Sequence, residues 1–184
     1  MKAIILTILL VASANLAVAQ GNEKLGVFVG WSHLITQNEV NAHNVEPNGI
    51  SGGLLVPVHI SKVPLFVKIK VIYHSANNES GYSDPYGSYI QVSNSFLAGV
   101  KSWGGGEYSA QVLLGAGIQN ESIYSKWGEG VAAAEVFGEF SVIVARHVGG
   151  HRLGVLASFE QGLNSKDIHL VTDRRFQLAI VSIF

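Results

Sequence analysis

Residues 65–74 read Leu65-Phe66-Val67-Lys68-Ile69-Lys70-Val71-Ile72-Tyr73-His74. The odd-numbered positions are all apolar or aromatic, whereas the even-numbered positions include two lysines and a histidine. Successive side chains of a β-strand point to opposite faces, so this segment predicts a strand with one charge-free face. The segment decides the fold because the same alternation returns along the rest of the chain.

This period-two alternation predicts eight strands. They cover Lys24–Ile35, Gly49–Ile60, Leu65–His74, Tyr89–Val100, Tyr108–Gln119, Ala132–Val144, Arg152–Glu160 and Arg174–Phe184. Each has roughly 9–13 residues, which is the length of a tilted strand that crosses a hydrocarbon layer. Beyond the first segment of the chain, no run of apolar residues is long enough to predict a transmembrane helix.

The two faces of the predicted strands differ in chemistry. One face carries no Asp, Glu, Lys or Arg in any strand. The other is rich in Gln, Ser and Gly, and it carries the charged residues Lys68, Lys70, Glu135, Glu139, Glu160 and Arg175. Apolar-out, polar-in alternation is typical of membrane barrels. We therefore predict an all-β fold, an eight-stranded antiparallel up-and-down transmembrane β-barrel.

A soluble lipocalin-like carrier is the inverted alternative, with the apolar face inside. Six charged side chains over eight strands are too few to solvate the surface of a soluble protein. The charged face is also rich in glycine and small residues, which suit a crowded interior. These features favour the membrane barrel over the carrier.

The overall composition excludes several other classes of protein. The chain has 184 residues, of which 48% are hydrophobic and 14% charged, whereas disordered chains are rich in charge. It has no cysteine, which excludes disulfide scaffolds and thiolate metal sites. The formal net charge is −1 and no Lys/Arg cluster is present, which argues against a nucleic-acid partner.

Residues 1–19 have the three parts of a secretory signal peptide. Met1-Lys2 is a short basic start, residues 3–12 are almost wholly aliphatic, and Ala17-Val18-Ala19 is an A-x-A cleavage pattern. The apolar stretch is too short to span a bilayer as a helix. We expect a signal peptide over 1–19 and a barrel domain over 20–184.

The joins between the predicted strands alternate in length. The joins 61–64, 101–107 and 145–151 are short and basic on balance, whereas the joins 36–48, 75–88, 120–131 and 161–173 are longer and acidic. Membrane barrels have short periplasmic turns and longer extracellular loops. The pattern predicts both termini on the periplasmic side.

The last strand carries a resemblance to a known family. Its pattern Phe176-x-Leu178-x-Ile180-x-Ser182-x-Phe184, with the signal peptide and eight strands, resembles small bacterial outer-membrane barrels of the OmpA/OmpX type. The resemblance implies a place in the bacterial outer membrane, in contact with its bilayer and with lipopolysaccharide. It also implies that the barrel-assembly machinery reads Phe176, Leu178, Ile180 and Phe184, and that the barrel is a monomer. Ser182 departs from the apolar pattern.

The charged face predicts an ion network inside the barrel. The interior of an eight-stranded barrel is only wide enough to be filled by side chains, and buried charges must be paired. We expect Lys68 and Lys70 to meet Glu135, Glu139 or Glu160, with Arg175 joining them. The network is interpreted as structural; a proton path or a small-solute pore is the alternative.

His74-Ser75 is the candidate for catalysis. Small outer-membrane lipid hydrolases of the lipid A deacylase type place a histidine and a serine two residues apart, on one face, so that histidine takes the serine proton. Here Ser75 directly follows His74, so the two side chains should point to opposite faces. A non-catalytic barrel is therefore the main hypothesis and a lipid hydrolase using this region the alternative.

The remaining candidates lie in the predicted outer loops. Tyr82, Tyr86, Tyr124 and Trp127 could bind an extracellular partner or pack on one another at the barrel mouth. The seven histidines are scattered, so no metal site and no cofactor is expected. The predicted function is a structural or surface-interaction role in the outer membrane, with a filled lumen.

Overall fold

The computed structural model describes residues 25–37, 45–58, 64–76, 86–125, 128–163 and 172–184. They form eight strands: β1 (Gly26–Gln37), β2 (Val45–Val58), β3 (Leu65–Ala76), β4 (Tyr86–Gly105), β5 (Tyr108–Ser125), β6 (Gly128–Val148), β7 (His151–Gly162) and β8 (Thr172–Ile183). Each strand pairs antiparallel with the next, and β1 also pairs with β8. The predicted closed eight-stranded barrel is confirmed. Within these residues, no helix has the length and apolarity needed to cross a membrane.

The two ends of the barrel differ, and we name them by their connections. The turn end holds the start of β1, the end of β8 and two tight turns, at Gly106-Glu107 and Gly149-Gly150. Gly106 and Gly149 have φ values of 71° and 61°, a left-handed conformation that glycine adopts at little cost. The opposite end, named the loop end, lies where β5 leads into β6 and β7 leads into β8.

Three strands are much longer than the sequence predicts. β4, β5 and β6 have 20, 18 and 21 residues, against the expected maximum of about 13 for one bilayer crossing. The expected loop over 120–131 is mostly strand, since β5 runs to Ser125 and β6 begins at Gly128. The expected turn over 101–107 likewise shrinks to two residues. These strands extend beyond the apolar band, where their polar sequence had indicated loops.

A β-bulge interrupts β4 near the turn end. Gly99 pairs with Leu113 and Lys101 pairs with Val112, so β4 holds one more residue than β5 over this step. The extra residue reverses which side chains face out, because faces alternate along a strand. Beyond the bulge, Lys101 and Trp103 face outward and Ser102 faces inward.

The outward face of the barrel is apolar over its central band. Exposed side chains of this band include Val29, Val71, Phe96, Leu114, Ile118, Val136, Phe140, Val155 and Ile180. The inward face holds the glycines that the strands need to pack closely. A Cβ at Gly115, for example, would collide with the backbone carbonyl oxygen of Phe96. An apolar exterior around a crowded interior is the arrangement expected of a barrel in lipid.

The substitution Leu114→Arg tests whether the outward band faces hydrocarbon. Leu114 lies near the middle of this band, is 45% exposed and pairs with Ala98 and Phe140. Leu114→Arg should lower the free energy of unfolding from lipid vesicles by about 2–4 kcal/mol, because a buried guanidinium is costly in hydrocarbon.

The matched control is Val148→Arg, at an exposed position of the turn end. There the same charge reaches the interface, so the expected loss is about 0–1 kcal/mol. Urea titrations of both variants in vesicles give the two values. Equal losses would contradict a lipid-facing band.

Candidate functional site

The interior of the barrel contains a stack of layers, of which two are ionic. The layer nearer the turn end surrounds Lys68, and the layer nearer the loop end surrounds Arg175. All six predicted interior residues are buried, each with less than a tenth of its surface exposed: Lys68, Lys70, Glu135, Glu139, Glu160 and Arg175. The structure thus brings the predicted residues into one lumen.

In the Lys68 layer, the ammonium group uses all three of its donors. It binds Glu139 at 2.6 Å, the hydroxyl of Ser158 at 2.9 Å and the side-chain oxygen of Gln177 at 3.0 Å. Glu139 also accepts from the hydroxyls of Ser95 and Ser141, both at 2.7 Å. A buried lysine and a buried carboxylate are tolerated when their donors and acceptors are satisfied in this way.

The Arg175 layer is built around Glu160. Lys70 donates to one oxygen of Glu160, and Arg175 donates to the other at 3.1 Å. Lys68 lies 3.9 Å from Glu160 and links the two layers. Glu135 joins through the side-chain amide of Gln119, which donates to it at 2.6 Å. One carboxylate therefore holds three cations from β3 and β8 together.

Glu121 belongs to the same layer, and the sequence analysis missed it. The residue was placed in an outer loop, but it lies in β5, is 2% exposed and approaches Arg175 at 3.8 Å. Gln119 donates to it at 3.2 Å. The signal was present in the sequence, because Glu121 continues the inward alternation two residues after Gln119.

A third, apolar layer closes the lumen on the turn-end side of Lys68. Its side chains come from all eight strands and are each less than a tenth exposed: Phe28, Leu55, Phe66, Leu97, Leu113, Ile143, Ala145, Leu156, Ala179, Val181 and Ile183. Lys68 stands over the ring of Phe28, at 5.4 Å from its centroid. The sequence analysis did not single out this layer. Its buried side chains separate the ionic layers from the turn end.

At the loop end, His74 meets a serine, though not Ser75. His74 is fully buried and Ser75 is exposed, so these neighbours face opposite sides of β3. The Nε2 atom of His74 lies 3.1 Å from the hydroxyl of Ser32, which is also fully buried. A Cβ at Gly49, on the strand between them, would collide with the imidazole, so glycine leaves the room this contact needs. The pair has the spacing of a nucleophile and a base, but it is sealed from solvent.

The four predicted surface aromatics are only partly covered by the described residues. Tyr82 and Trp127 lie outside the described residues. Tyr86 lies in β4 and Tyr124 in β5, so the expected loop positions of these two residues are wrong. The expectations failed because β4 begins before the predicted strand and β5 continues past the predicted strand end.

Three residues of the predicted assembly signal lie along β8, and Phe184 directly follows the end of the strand. Leu178, Ile180 and Phe184 are exposed on the outward face, and Phe176 packs edge-on against Trp31 with ring centroids 6.3 Å apart. Phe184 packs similarly against His151, at 5.2 Å. Within the described ranges, no three His, Asp or Glu side chains come together as a metal site would require.

The barrel is similar to solved structures of outer-membrane proteins. No protein-family model and no curated protein matches the sequence. Neisserial surface protein A (NspA) superposes with a TM-score of 0.55 at 10% sequence identity, covering 86% of this chain and 95% of that one. Ail, the attachment invasion locus protein of Yersinia pestis, in complex with the heparin analogue sucrose octasulfate, gives a TM-score of 0.48 at 12% identity, covering 89% and 98%.

The likeness to NspA concerns the fold. At this level of identity the chains share the closed eight-stranded barrel and little of their surface chemistry. The chain therefore has the fold of the small outer-membrane β-barrels, as the resemblance of its sequence implies.

Lys68→Met tests the ionic layers. The substitution leaves Glu139 as a buried carboxylate without its cation, which should cost about 3–5 kcal/mol of unfolding free energy. The control is Lys101→Met, since Lys101 is exposed and stands over the ring of Trp103. It should change the unfolding free energy by less than about 1 kcal/mol.

The double variant Lys68→Met with Glu139→Gln separates charge from packing. Removing both charges should recover a large part of the stability that Lys68→Met loses, because no unpaired ion is left in the lumen. Denaturant unfolding in vesicles measures all three variants. Similar losses for Lys68→Met and Lys101→Met would overturn the role assigned to the pair.

Proposed function

We propose that the chain is a bacterial outer-membrane barrel whose role lies at its loop-end surface, in structural support or in contact with an extracellular partner, without catalysis or transport. The observation that carries this proposal is the packing of buried side chains in the lumen. Two ionic layers and one apolar layer fill the interior and leave its charged groups engaged with one another. The remaining accessible parts are the apolar exterior and the two ends.

The loop end is the side proposed to face the cell exterior. The β5–β6 hairpin continues there beyond the residues that pair β6 with β7, since Phe137 pairs with Gly162 and β6 extends nine residues further, back to Gly128. Strands that extend beyond the closed part of a barrel give an extracellular partner a place to bind.

Residues 1–19 are proposed to direct the chain across the inner membrane and then to be cleaved. The barrel-assembly machinery would then insert residues 20–184, reading the outward row Phe176, Leu178, Ile180 and Phe184 of β8. The inserted barrel would contact lipopolysaccharide in the outer leaflet and act as a monomer. The turn end, with both ends of the barrel domain, would face the periplasm.

Single cysteines test this topology directly, because the natural chain has none. We expect Ser125→Cys, at the loop end, to react with a membrane-impermeant maleimide on intact cells. Gly150→Cys, in an exposed turn at the opposite end, should react only after the outer membrane is permeabilised. Labelling of Gly150→Cys alone on intact cells would reverse the orientation, and labelling of neither would contradict outer-membrane insertion.

The packed lumen leads to a second prediction, which concerns ion conductance. The purified barrel should give no steady conductance steps in planar bilayers. We expect the packed apolar layer to exclude the continuous column of water that ions need in order to pass. A variant with Phe28→Ala, Phe66→Ala and Leu113→Ala removes three of its largest side chains and serves as the comparison. Steady conductance steps from the unmodified barrel would contradict a lumen closed to ions and favour the small-solute pore.

The lipid hydrolase remains the alternative with a specific observation behind it, the contact between Ser32 and His74. Both residues are fully buried, so a lipid ester has no access to the hydroxyl in this conformation. Release of fatty acid by the purified barrel would contradict the non-catalytic proposal if Ser32→Ala abolished it and Ser75→Ala did not.

A further inference from the structure

The turn end contains a cavity that the proposed function does not use. Its volume is about 250 Å³, and its lining includes Ser102, Ser109, Gln111, Ile143 and Arg152. Strand register turns these side chains toward the inside of the barrel, since Ser102 pairs with Gln111. The sheet separates the cavity from lipid, so a ligand must enter from the aqueous side.

The floor of the cavity is the apolar layer. Ile143, Ala145 and Ile183 line it, and they are 4%, 2% and 7% exposed. The cavity is therefore a blind vestibule, closed off from the ionic layers above. A ligand that reaches this floor must bring apolar groups to it, since polar groups would lose their hydrogen bonds there.

The wall of the vestibule favours an anion. Ser102, Ser109, Gln111 and Arg152 can all donate hydrogen bonds, and among the described residues no carboxylate side chain lines the cavity. Arg152 makes no ion pair or hydrogen bond with any other residue of the described ranges. Arg146, at the same end, faces outward and binds Glu107 at 2.8 Å. Within the part of the chain that the structure describes, Arg152 is thus the cation available to hold a ligand.

We propose that this vestibule binds a small amphiphilic anion, a carboxylate or phosphate ester that carries a short apolar chain. The guanidinium of Arg152 holds the anionic group, as arginine commonly does with carboxylates and phosphates. Ile143 and Ile183 contact the chain. The volume equals that of about eight water molecules, which fits a medium-chain fatty acid or alkyl phosphate better than a whole membrane lipid.

Trp103 provides a reporter, because it is adjacent in β4 to the lining residue Ser102, although its own indole faces outward. In a barrel carrying Trp31→Phe and Trp127→Phe, it is the only tryptophan. We would reconstitute this barrel in phosphatidylcholine nanodiscs, which leave both ends open to water, and titrate it with octanoate and octyl phosphate. Inorganic phosphate and octanol serve as ligands that carry only one of the two features.

We expect saturable fluorescence changes with a Kd on the order of 1 mM or tighter for the two amphiphilic anions. Binding should be weaker by about tenfold or more for the two partial ligands and for Arg152→Met. Arg152→Lys should retain part of the affinity. Arg146→Met, which removes a cation from the outside of the same end, should leave the affinity unchanged.

A second variant keeps the test independent of Arg152. Ser109→Leu should fill the vestibule and abolish binding while heat-modifiable gel migration still reports a folded barrel. If Arg146→Met and Arg152→Met weakened the binding of the amphiphilic anions equally, the affinity would depend on general surface charge alone. That result would overturn the proposal. Equal binding of octanol and octanoate, or no binding of either anion, would also overturn it.

Discussion

Every backbone N–H and C=O group that faces hydrocarbon needs a hydrogen-bond partner within the protein, because lipid offers none. The pairing of β1 with β8 meets this requirement by removing both edges of the sheet. Closure at eight strands then fixes the interior as a narrow column that side chains must fill. The apolar exterior, the ionic layers and the inward glycines are consequences of that geometry.

The filling of the column divides the molecule into regions with different chemistry. Near the loop end, carboxylates and cations satisfy one another, with Glu160 between Lys70 and Arg175. Toward the turn end, Phe28, Leu113 and their neighbours exclude water. The lumen therefore has an apolar layer toward the turn end and charged layers toward the loop end. The proposed roles therefore lie at the two ends of the barrel.

The sequence predicted the faces of the strands well and their ends poorly. Within the apolar band, lipid on one side and lumen on the other impose a strict alternation, and Lys68 and Lys70 reveal it. Beyond the band, the outward face also carries polar residues such as Asn120, so the contrast between the two faces fades. For this reason the strand end was expected before Tyr124 and before Glu121, although Glu121 faces inward and is buried. The apolar layer was missed for a related reason. Phe28 and Leu113 face inward but are of the same residue types as the lipid-facing positions, so only their packing distinguishes them.

The bulge in β4 shows that the number of residues in a strand, and not only their identity, decides which side chains face inward. One additional residue before Lys101 places that lysine and Trp103 outside the barrel, and Ser102 within the vestibule. Without the bulge, an ammonium group would stand beside Arg152 and an indole would leave the interface. Insertion or deletion of one residue at such a bulge therefore reverses which side chains of the following segment face inward. Evolution can exchange the contents of the turn end in a single step here, without altering the part of β4 that precedes the bulge.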